Sequence, residues 1–287
     1  MHPYFHLGPL VLWSYGLMMG VGLSLGFFFG DADFKRRNIP IPMGVFLPAM
    51  AISGLIGAKL DHAIVVQWQT LRENPFAFDW VATFWGGYTW FGGVLGGLAA
   101  AAILAKIYKT PVLKVLDVAP VASLGLACGR MGCFLAGDGD YGIPTSMPWG
   151  MSFPHGIVPT VARVHPTPLY EISYALIIFA VLWRRGRREN YPRVRPGSQL
   201  AAYLFFTGLC RFFVEFFSRN ARVYAGLTEA QWVGIIFVLS AAALTFFFPS
   251  GATNADHSEP SLATPAIDRG SQALPETGRA AVHTGRA

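Results

Sequence analysis

The sequence predicts an all-α integral membrane protein with seven transmembrane helices, a small extracytoplasmic head region and a disordered cytoplasmic tail. Of its 287 residues, 53% are hydrophobic and 13% are charged, whereas a soluble globular domain is about one quarter charged. Seven apolar segments are each close to the roughly 20 residues that span a bilayer. Residues 249–287 are instead rich in Ala, Ser, Thr, Pro and Gly, and such a segment cannot bury a core.

In chain order, each predicted helix is an apolar run bounded by polar or loop-forming residues. The seven runs cover residues 9–30, 42–65, 84–105, 115–136, 167–183, 198–217 and 228–248. The first run lacks the basic n-region and small-residue cleavage site of a signal peptide, so we expect it to be retained. The chain is therefore divided into a membrane domain at 1–248, whose loop at 137–166 forms the head, and a disordered tail at 249–287.

The orientation of the helices follows from the basic residues in the connecting loops. Twelve lysines and arginines lie in one set of loops, and four arginines lie in the opposite set. The positive-inside rule places the richer set in the cytoplasm. The N-terminus is then extracytoplasmic and the tail cytoplasmic. The richer set comprises Lys35, Arg36, Arg37, Lys106, Lys109, Lys114, Arg184, Arg185, Arg187, Arg188, Arg193 and Arg195, and the poorer set Arg72, Arg163, Arg219 and Arg222.

Composition also argues against several classes of site. Cys128, Cys133 and Cys210 lie in apolar segments without metal-ligand spacing, and an odd number of cysteines gives no disulfide framework. The net charge of +6 first reflects membrane topology, and no basic run is interleaved with aromatics as in a nucleic-acid site. We therefore expect no metal, no cofactor and no nucleic-acid partner.

Polar residues inside the spans lie at one predicted depth. Charged side chains in a membrane are costly and usually mark a functional site. With a rise of about 1.5 Å per residue, five polar or charged residues of the spans fall roughly 5–10 Å below the outer boundary. These are Tyr15, Lys59, Arg130, Arg211 and Glu215, and Glu171 lies at the outer end of the fifth span. We interpret this layer as one polar cavity that opens towards the outer leaflet.

Two or three cations in one cavity favour an anionic ligand. The planar fork of arginine makes paired hydrogen bonds to phosphate, and a phospholipid headgroup is the phosphate found at this depth. Arg211 could instead simply neutralise Glu215, because residues at i and i+4 face each other on a helix. Arg130 has no acid on its own helix face, which favours a ligand. Asp117, at the cytoplasmic end of the fourth span, is expected to be an interfacial cap.

Glycines in the third and fourth spans predict close helix packing, or alternatively room for a lipid headgroup. The fourth span carries Gly125, Gly129 and Gly132, and the third carries pairs such as Gly92 and Gly93. We assign to the phospholipid site, besides the two arginines, Lys59, Gly129, Gly92 and Gly93.

Five segments together resemble the prolipoprotein diacylglyceryl transferase family. They are "LWSYGLMMGVG", "WFGGVLGG", "GRMGCFLAGDGDYG", "HPTPLYE" and "RFFVEFF", in family order within residues 7–248. The resemblance implies transfer of the diacylglyceryl group of phosphatidylglycerol to the cysteine thiol of lipoprotein precursors, with formation of a thioether and release of glycerol 1-phosphate. It implies a bacterial inner-membrane protein whose partners are phosphatidylglycerol, the precursor's signal peptide and the bilayer.

The resemblance also implies roles for particular residues. Arg130 and Arg211 would hold the phosphate, and Glu215 and Tyr15 would belong to the same essential cluster. A head region at 137–166 and a lateral opening for lipid are implied as well. The candidates in and beside the head are Asp138, Asp140, Gly142, His165 and Glu171.

The chain departs from the family pattern at residues that bear on the chemistry. Phe91 stands where the family has a histidine proposed as general base, Cys133 replaces an asparagine, and Pro168 replaces a glutamine. The stretch "DGDYG" also differs in length from the usual spacing. Our hypothesis for the base is Glu215, with His155 and His165 as alternatives.

Three functions are therefore weighed. The first is the diacylglyceryl transferase, the second a phospholipid-using transferase with another acceptor, and the third a non-catalytic phospholipid-binding membrane protein. Retention of both arginines with Tyr15 and Glu215 favours chemistry, because binding alone would not need the whole cluster. Two arginines can stabilise the charge that develops on a phosphate leaving group, and the nucleophile would be the thiolate.

Overall fold

The computed structural model is predominantly helical and describes residues 3–8, 10–73, 87–187 and 195–247. The chain divides into two units, Met1–Pro249 and Ser250–Ala287, and every described residue belongs to the first. The predicted tail at 249–287 lies outside the described residues, as does the beginning of the third predicted span. Within the described ranges the helices are α1 Ser14–Arg36, α2 Met43–Glu73, α3 Trp90–Ile107, α4 Val112–Leu116, α5 Ala119–Ala136, α6 Thr167–Arg185, α7 Ser198–Val214 and α8 Glu229–Phe247.

Six helical segments of the described chain are long and apolar enough to cross a membrane. They are Ser14–Arg36, Met43–Val65, Trp90–Ile107, Val112–Ala136, Ser198–Phe217 and Glu229–Phe247. The fifth predicted span corresponds to α6, which is a helix of 19 residues. Its N-terminal half carries Glu171 and two tyrosines and its C-terminal end carries two arginines, so it is not among the six. Length and composition therefore support six of the seven predicted spans among the described residues.

The fold is predominantly helical, as predicted, and short antiparallel hairpins form at the ends of the helices. The hairpins pair β1 Tyr4–Leu7 with β2 Leu10–Trp13, β3 Met151–Phe153 with β4 Thr160–Val164, and β5 Arg222–Tyr224 with β6 Leu227–Thr228. The first helix consequently begins at Ser14 and not at residue 9. Gly8, with φ of +63°, allows the tight turn between β1 and β2. The sequence at this position reads equally well as the start of an apolar helix.

Helices α2 and α3 pack with their backbones in contact. A Cβ atom on Gly92 would overlap the carbonyl oxygen of Gly57, and one on Gly96 would overlap that of Ser53. The Ser53 hydroxyl also donates a hydrogen bond to the Gly96 carbonyl at 2.6 Å. Small residues therefore let these two helices approach closely, as in other membrane helix pairs.

Asp117 ties together the helix ends opposite the head. Its carboxylate accepts backbone hydrogen bonds from Gly197, Gln199 and Leu200 at 2.8, 3.0 and 2.9 Å. It thus caps the N-terminus of α7, a helix remote in sequence. Arg37, 1% exposed, lies 3.5 Å from Asp117 and 2.9 Å from Asp33 of α1. The expected interfacial cap is therefore present, and it joins three helices.

Candidate active site

Glu171 holds two arginines from different helices on one carboxylate. One oxygen pairs with Nε of Arg130 on α5, and the other accepts a hydrogen bond from Nη1 of Arg211 on α7. Glu171 lies on α6, which packs between those two helices, and is 4% exposed. The two guanidinium groups are consequently fixed side by side by a buried anion.

Each arginine has a second carboxylate partner. Nη1 of Arg130 lies 2.5 Å from Oδ2 of Asp140 in the head loop, and Nη2 of Arg211 lies 3.1 Å from Oε2 of Glu215. Glu215 is buried, and its other oxygen accepts a hydrogen bond from the Asn220 amide at 2.6 Å. The Asp140 side chain, by contrast, is 48% exposed. Asp140 is therefore the acid of this cluster that faces outwards.

A cavity of about 380 Å³ opens beside these residues. Its ionisable lining comprises three cations and three carboxylates: Arg130, Arg211 and Arg219, with Asp140, Glu171 and Glu215. Arg130 has no acid on its own helix face, as the sequence indicates, but it has acidic partners from the head loop and from α6. Spacing along a single helix cannot reveal such partners.

The head loop contacts the segment just after α7 at Gly142. Its N–H donates to the His165 carbonyl at 2.7 Å, and the next N–H, that of Ile143, donates to the Phe217 carbonyl at 2.9 Å. A Cβ atom on Gly142 would overlap that Phe217 oxygen. The Thr167 hydroxyl donates to the Asp140 carbonyl at 2.5 Å. These contacts place Asp140 over Arg130.

The two histidines proposed as alternative bases do not line the cavity. His165 is 8% exposed, and its Nδ1 lies 3.0 Å from the Tyr170 hydroxyl. The centroid of its ring lies 4.9 Å from that of Phe217, so His165 packs against the segment after α7. His155 lies exposed in the turn between β3 and β4.

Tyr15 approaches the cluster from α1. It packs on Gly132 of α5 so closely that a Cβ atom on that glycine would lie 2.9 Å from the tyrosine ring. Its hydroxyl is within electrostatic range of Arg130, Cys133 and Asp140. Tyr15 and Cys133 therefore lie on the α1 side of Arg130, whereas the cavity lining comes from the head, α6, α7 and the segment after α7.

The predicted lipid ligands on α2 and α3 are not among the residues that line the cavity. Lys59 does not line the cavity, and its ammonium group lies 4.0 Å above the Tyr88 ring. Gly92 is buried against α2, and a Cβ atom on Gly93 would make ordinary contact with Ala58 at 3.7 Å. Their observed role is helix packing. A Cβ atom on Gly129 would meet nothing within 4 Å, which fits the alternative of space beside the arginines.

One group of potential metal ligands occurs among the described residues. Ligand atoms of Cys133, Asp138 and Asp140 lie within 4.8 Å of one another. Asp140 is already paired with Arg130, and a neighbouring guanidinium disfavours a second cation. We assign no metal to this group.

Arg219 and Asn220 line the cavity but were not singled out from the sequence. Arg219 lies 4.2 Å above the Tyr141 ring and donates to the Gly139 carbonyl at 2.9 Å. Both follow Glu215 by four and five residues, just beyond the end of the helix. That spacing is the signal available in the sequence, although the orientation argument uses Arg219 only as a loop charge.

Comparison with known proteins agrees with the motifs. The prolipoprotein diacylglyceryl transferase family model matches residues 3–247. A phosphatidylglycerol–prolipoprotein diacylglyceryl transferase of Nitrosospira multiformis is 32% identical over 250 residues, covering 82% of this chain and 81% of the relative. Proteins of the same name from Nitrosomonas europaea and Methylobacillus flagellatus are 30% and 32% identical, covering 86% and 83% of this chain and 91% and 95% of the relatives. The chain therefore belongs to the prolipoprotein diacylglyceryl transferase family.

Proposed function

We propose that this protein transfers the diacylglyceryl group of phosphatidylglycerol to the cysteine thiol of lipoprotein precursors, forming a thioether and releasing glycerol 1-phosphate. The observation that carries the proposal is the pair of arginines that Glu171 holds side by side at a cavity. The names of the similar proteins supply the donor and the acceptor class.

The reaction needs a charge-stabilising site for its leaving group. When the bond between the glycerol carbon and the phosphate oxygen breaks, negative charge grows on the phosphate. Guanidinium groups that are already fixed in place stabilise that charge without reorganising. Arg130 and Arg211 meet this requirement because a buried carboxylate holds both.

An apolar groove beside the cavity supports a diacyl donor. The groove has a volume of about 460 Å³, lies between α6 and α7, and shares Val214 with the polar cavity. Its lining includes Ile177, Leu209 and Phe213. A phospholipid with its phosphate at the arginines could lay one acyl chain along this groove.

We further propose that α6 crosses the membrane as a seventh span. The head loop precedes α6, and the segment after α7 meets that loop: Ile143 N–H donates to the Phe217 carbonyl and Arg219 donates to the Gly139 carbonyl, both at 2.9 Å. Both segments must then lie on one side of the bilayer. Since α7 is one of the apolar spans, α6 has to cross as well. Its 19 residues extend about 28 Å, close to the bilayer core of about 30 Å.

An odd number of membrane crossings, which puts the two termini on opposite sides, also supports the predicted orientation. The family and the apolar helices indicate a multi-pass protein of the bacterial inner membrane. With seven crossings, the basic loops lie in the cytoplasm together with the C-terminus, and the N-terminus and head lie outside. The cavity is then on the side where a precursor's cysteine emerges from the membrane.

The proposal is tested with purified protein in phosphatidylglycerol vesicles and a lipoprotein signal peptide that contains its cysteine. Mass spectrometry should detect a peptide that has gained one diacylglyceryl group. Arg130→Ala and Arg211→Ala should abolish that product, because each removes one of the paired guanidinium groups. Arg130→Lys keeps the charge but loses the fork, and we expect it to lose most of the activity.

Arg187→Ala is the matched control, since Arg187 is an exposed arginine beyond the far end of α6. A peptide with serine in place of its cysteine tests the acceptor. No product from the wild-type protein would refute the proposal. Arginine-dependent binding of the lipid without product would then favour a different acceptor or a non-catalytic lipid-binding role.

A further inference from the structure

We propose that Asp140 couples phospholipid binding to thiol activation. The phosphate displaces the Asp140 carboxylate from Arg130, and the released carboxylate then accepts the proton of the precursor's thiol. This inference rests on the proposed function and adds the residue that takes the proton. It assigns that step to the head loop and not to a histidine or to Glu215.

The first argument is the geometry of the Arg130 guanidinium. Arginine binds phosphate best through two parallel N–H bonds from one edge of its fork. Glu171, which is buried, takes the edge that includes Nε. The end-on edge, formed by Nη1 and Nη2, is therefore the one left for a phosphate, and its Nη1 carries Asp140 at 2.5 Å. Two-bond capture of a phosphate by Arg130 must displace Asp140.

The second argument is that Asp140 can leave while the other acids cannot. The side chains of Glu171 and Glu215 are 5% and 1% exposed, and each is held through both oxygens. Asp140 has a side chain that is 48% exposed. Its backbone carbonyl stays anchored by Thr167 at 2.5 Å, so only the side chain has to rotate. Asp140 is the carboxylate that a ligand can exchange at the least cost.

The third argument is charge balance. The cavity lining has equal numbers of cations and carboxylates, so an entering phosphate adds negative charge to a neutral cluster. Displacing Asp140 from Arg130 leaves that carboxylate without its cation. The released carboxylate then has an oxygen available to accept a proton. Donor binding itself would therefore create the base.

The proposed step balances as follows. The thiol S–H bond breaks and its proton goes to an Asp140 oxygen, while the sulfur forms a bond to the glycerol carbon. The bond from that carbon to the phosphate oxygen breaks, and its electron pair leaves with glycerol 1-phosphate. Asp140 then loses its proton to water through its exposed side. No further reactant is needed.

The test separates binding from turnover, because the two should move in opposite directions. Asp140→Asn keeps the size of the side chain but competes poorly for Arg130. We expect the purified full-length variant to bind glycerol 1-phosphate about tenfold more tightly than the wild type. We expect its transfer rate to fall by about 10²–10⁴-fold, the usual contribution of a positioned base. Asp140→Glu should recover part of the rate.

Asp138→Asn is the matched control, since it removes the same charge from the same loop, keeps an oxygen that can accept the Asp140 N–H at 3.3 Å, and is not one of the carboxylates that pair with Arg130. Its binding should change by less than about threefold, which measures the general electrostatic effect. Unchanged or weaker binding by Asp140→Asn would overturn the counterion role. Wild-type turnover in that variant, or a loss confined to Glu215→Gln, would overturn the proton transfer. If the wild type makes no product, the proposed function and the proton transfer both fail, and the binding comparison still decides the counterion role.

Discussion

At the scale of single residues, Glu171 organises the site more than either arginine does. It is buried, and it pairs with both guanidinium groups, which would otherwise repel each other more strongly at short range. Removing one partner of a buried ion pair typically costs about 3–5 kcal/mol. We therefore expect Glu171→Gln to lower the thermal inactivation temperature in detergent. We also expect transfer to fall by about 10²-fold, because misplacing a catalytic group by about 1 Å has that effect.

The matched control for this change is Glu229→Gln at the exposed start of α8, which removes a carboxylate with no part in the cavity. It should leave both quantities near those of the wild type. A Glu171→Gln protein that is fully active and equally heat-resistant would show that the arginines are positioned by something else.

Gly142 is the basis of a second prediction at the scale of single residues. A methyl group there has no space, because it would overlap the Phe217 carbonyl oxygen. Gly142→Ala must push the head loop away from α7 and carry Asp140 with it. We expect a loss of about 1–3 kcal/mol in stability, as for other overpacked sites, and a loss of transfer with about the wild-type amount of protein in the membrane.

Gly26→Ala on α1 is the control, since a Cβ atom there would meet nothing within 4 Å. The measurements are thermal inactivation and the rate of peptide modification. Equal activity of the two variants would show that the contact between the head and α7 does not matter for catalysis.

At the scale of elements, the sequence predicted the middle of each membrane helix better than its ends. The apolar runs located the spans, because burial in lipid demands long uninterrupted hydrophobic segments. Residues 10–13 are as apolar as a helix, yet they pair with 4–7 in a hairpin. Hydrophobicity alone cannot separate the two, since both satisfy their backbone hydrogen bonds. Helix α6 shows the opposite case, where Glu171 lowers the hydropathy of a segment that is nonetheless helical.

The contact between α2 and α3 gives an element-scale prediction with neighbouring variants. Gly92→Ala places a methyl group against the backbone of Gly57, whereas Gly93→Ala makes only ordinary contact with Ala58. We expect Gly92→Ala to lose about 1–3 kcal/mol of stability and Gly93→Ala to stay close to the wild type. Thermal inactivation of both proteins, with phosphatidylglycerol binding measured in parallel, checks this. A selective loss of lipid binding in Gly93→Ala would support the predicted ligand role of these glycines.

At the scale of the whole molecule, the sequence predicted a shared layer and, as one alternative, the pair of Arg211 with Glu215, but not the other pairs within the layer. Arg130, Arg211 and Glu215 lie together, as the depth argument anticipated from the cost of burying charge. Their connection through Glu171 and Asp140 could not be predicted, because it depends on how α6 and the head loop return to the other helices. Lys59 shared the predicted depth but lies on a different helix pair, since depth fixes only one of three coordinates.

The crossing of α6 is a prediction about the whole molecule. Because the head loop and the segment after α7 hydrogen-bond to each other, Ser146 and Asn220 should face the same compartment, and Arg187 should face the opposite one. We expect an impermeant maleimide to label Ser146→Cys and Asn220→Cys in cells with an intact inner membrane. Arg187→Cys should react only after lysis. The unsubstituted protein gives the background from its own cysteines. Labelling of Ser146→Cys and Asn220→Cys from opposite sides would mean that α6 does not cross, and the shared cavity would then need a different explanation.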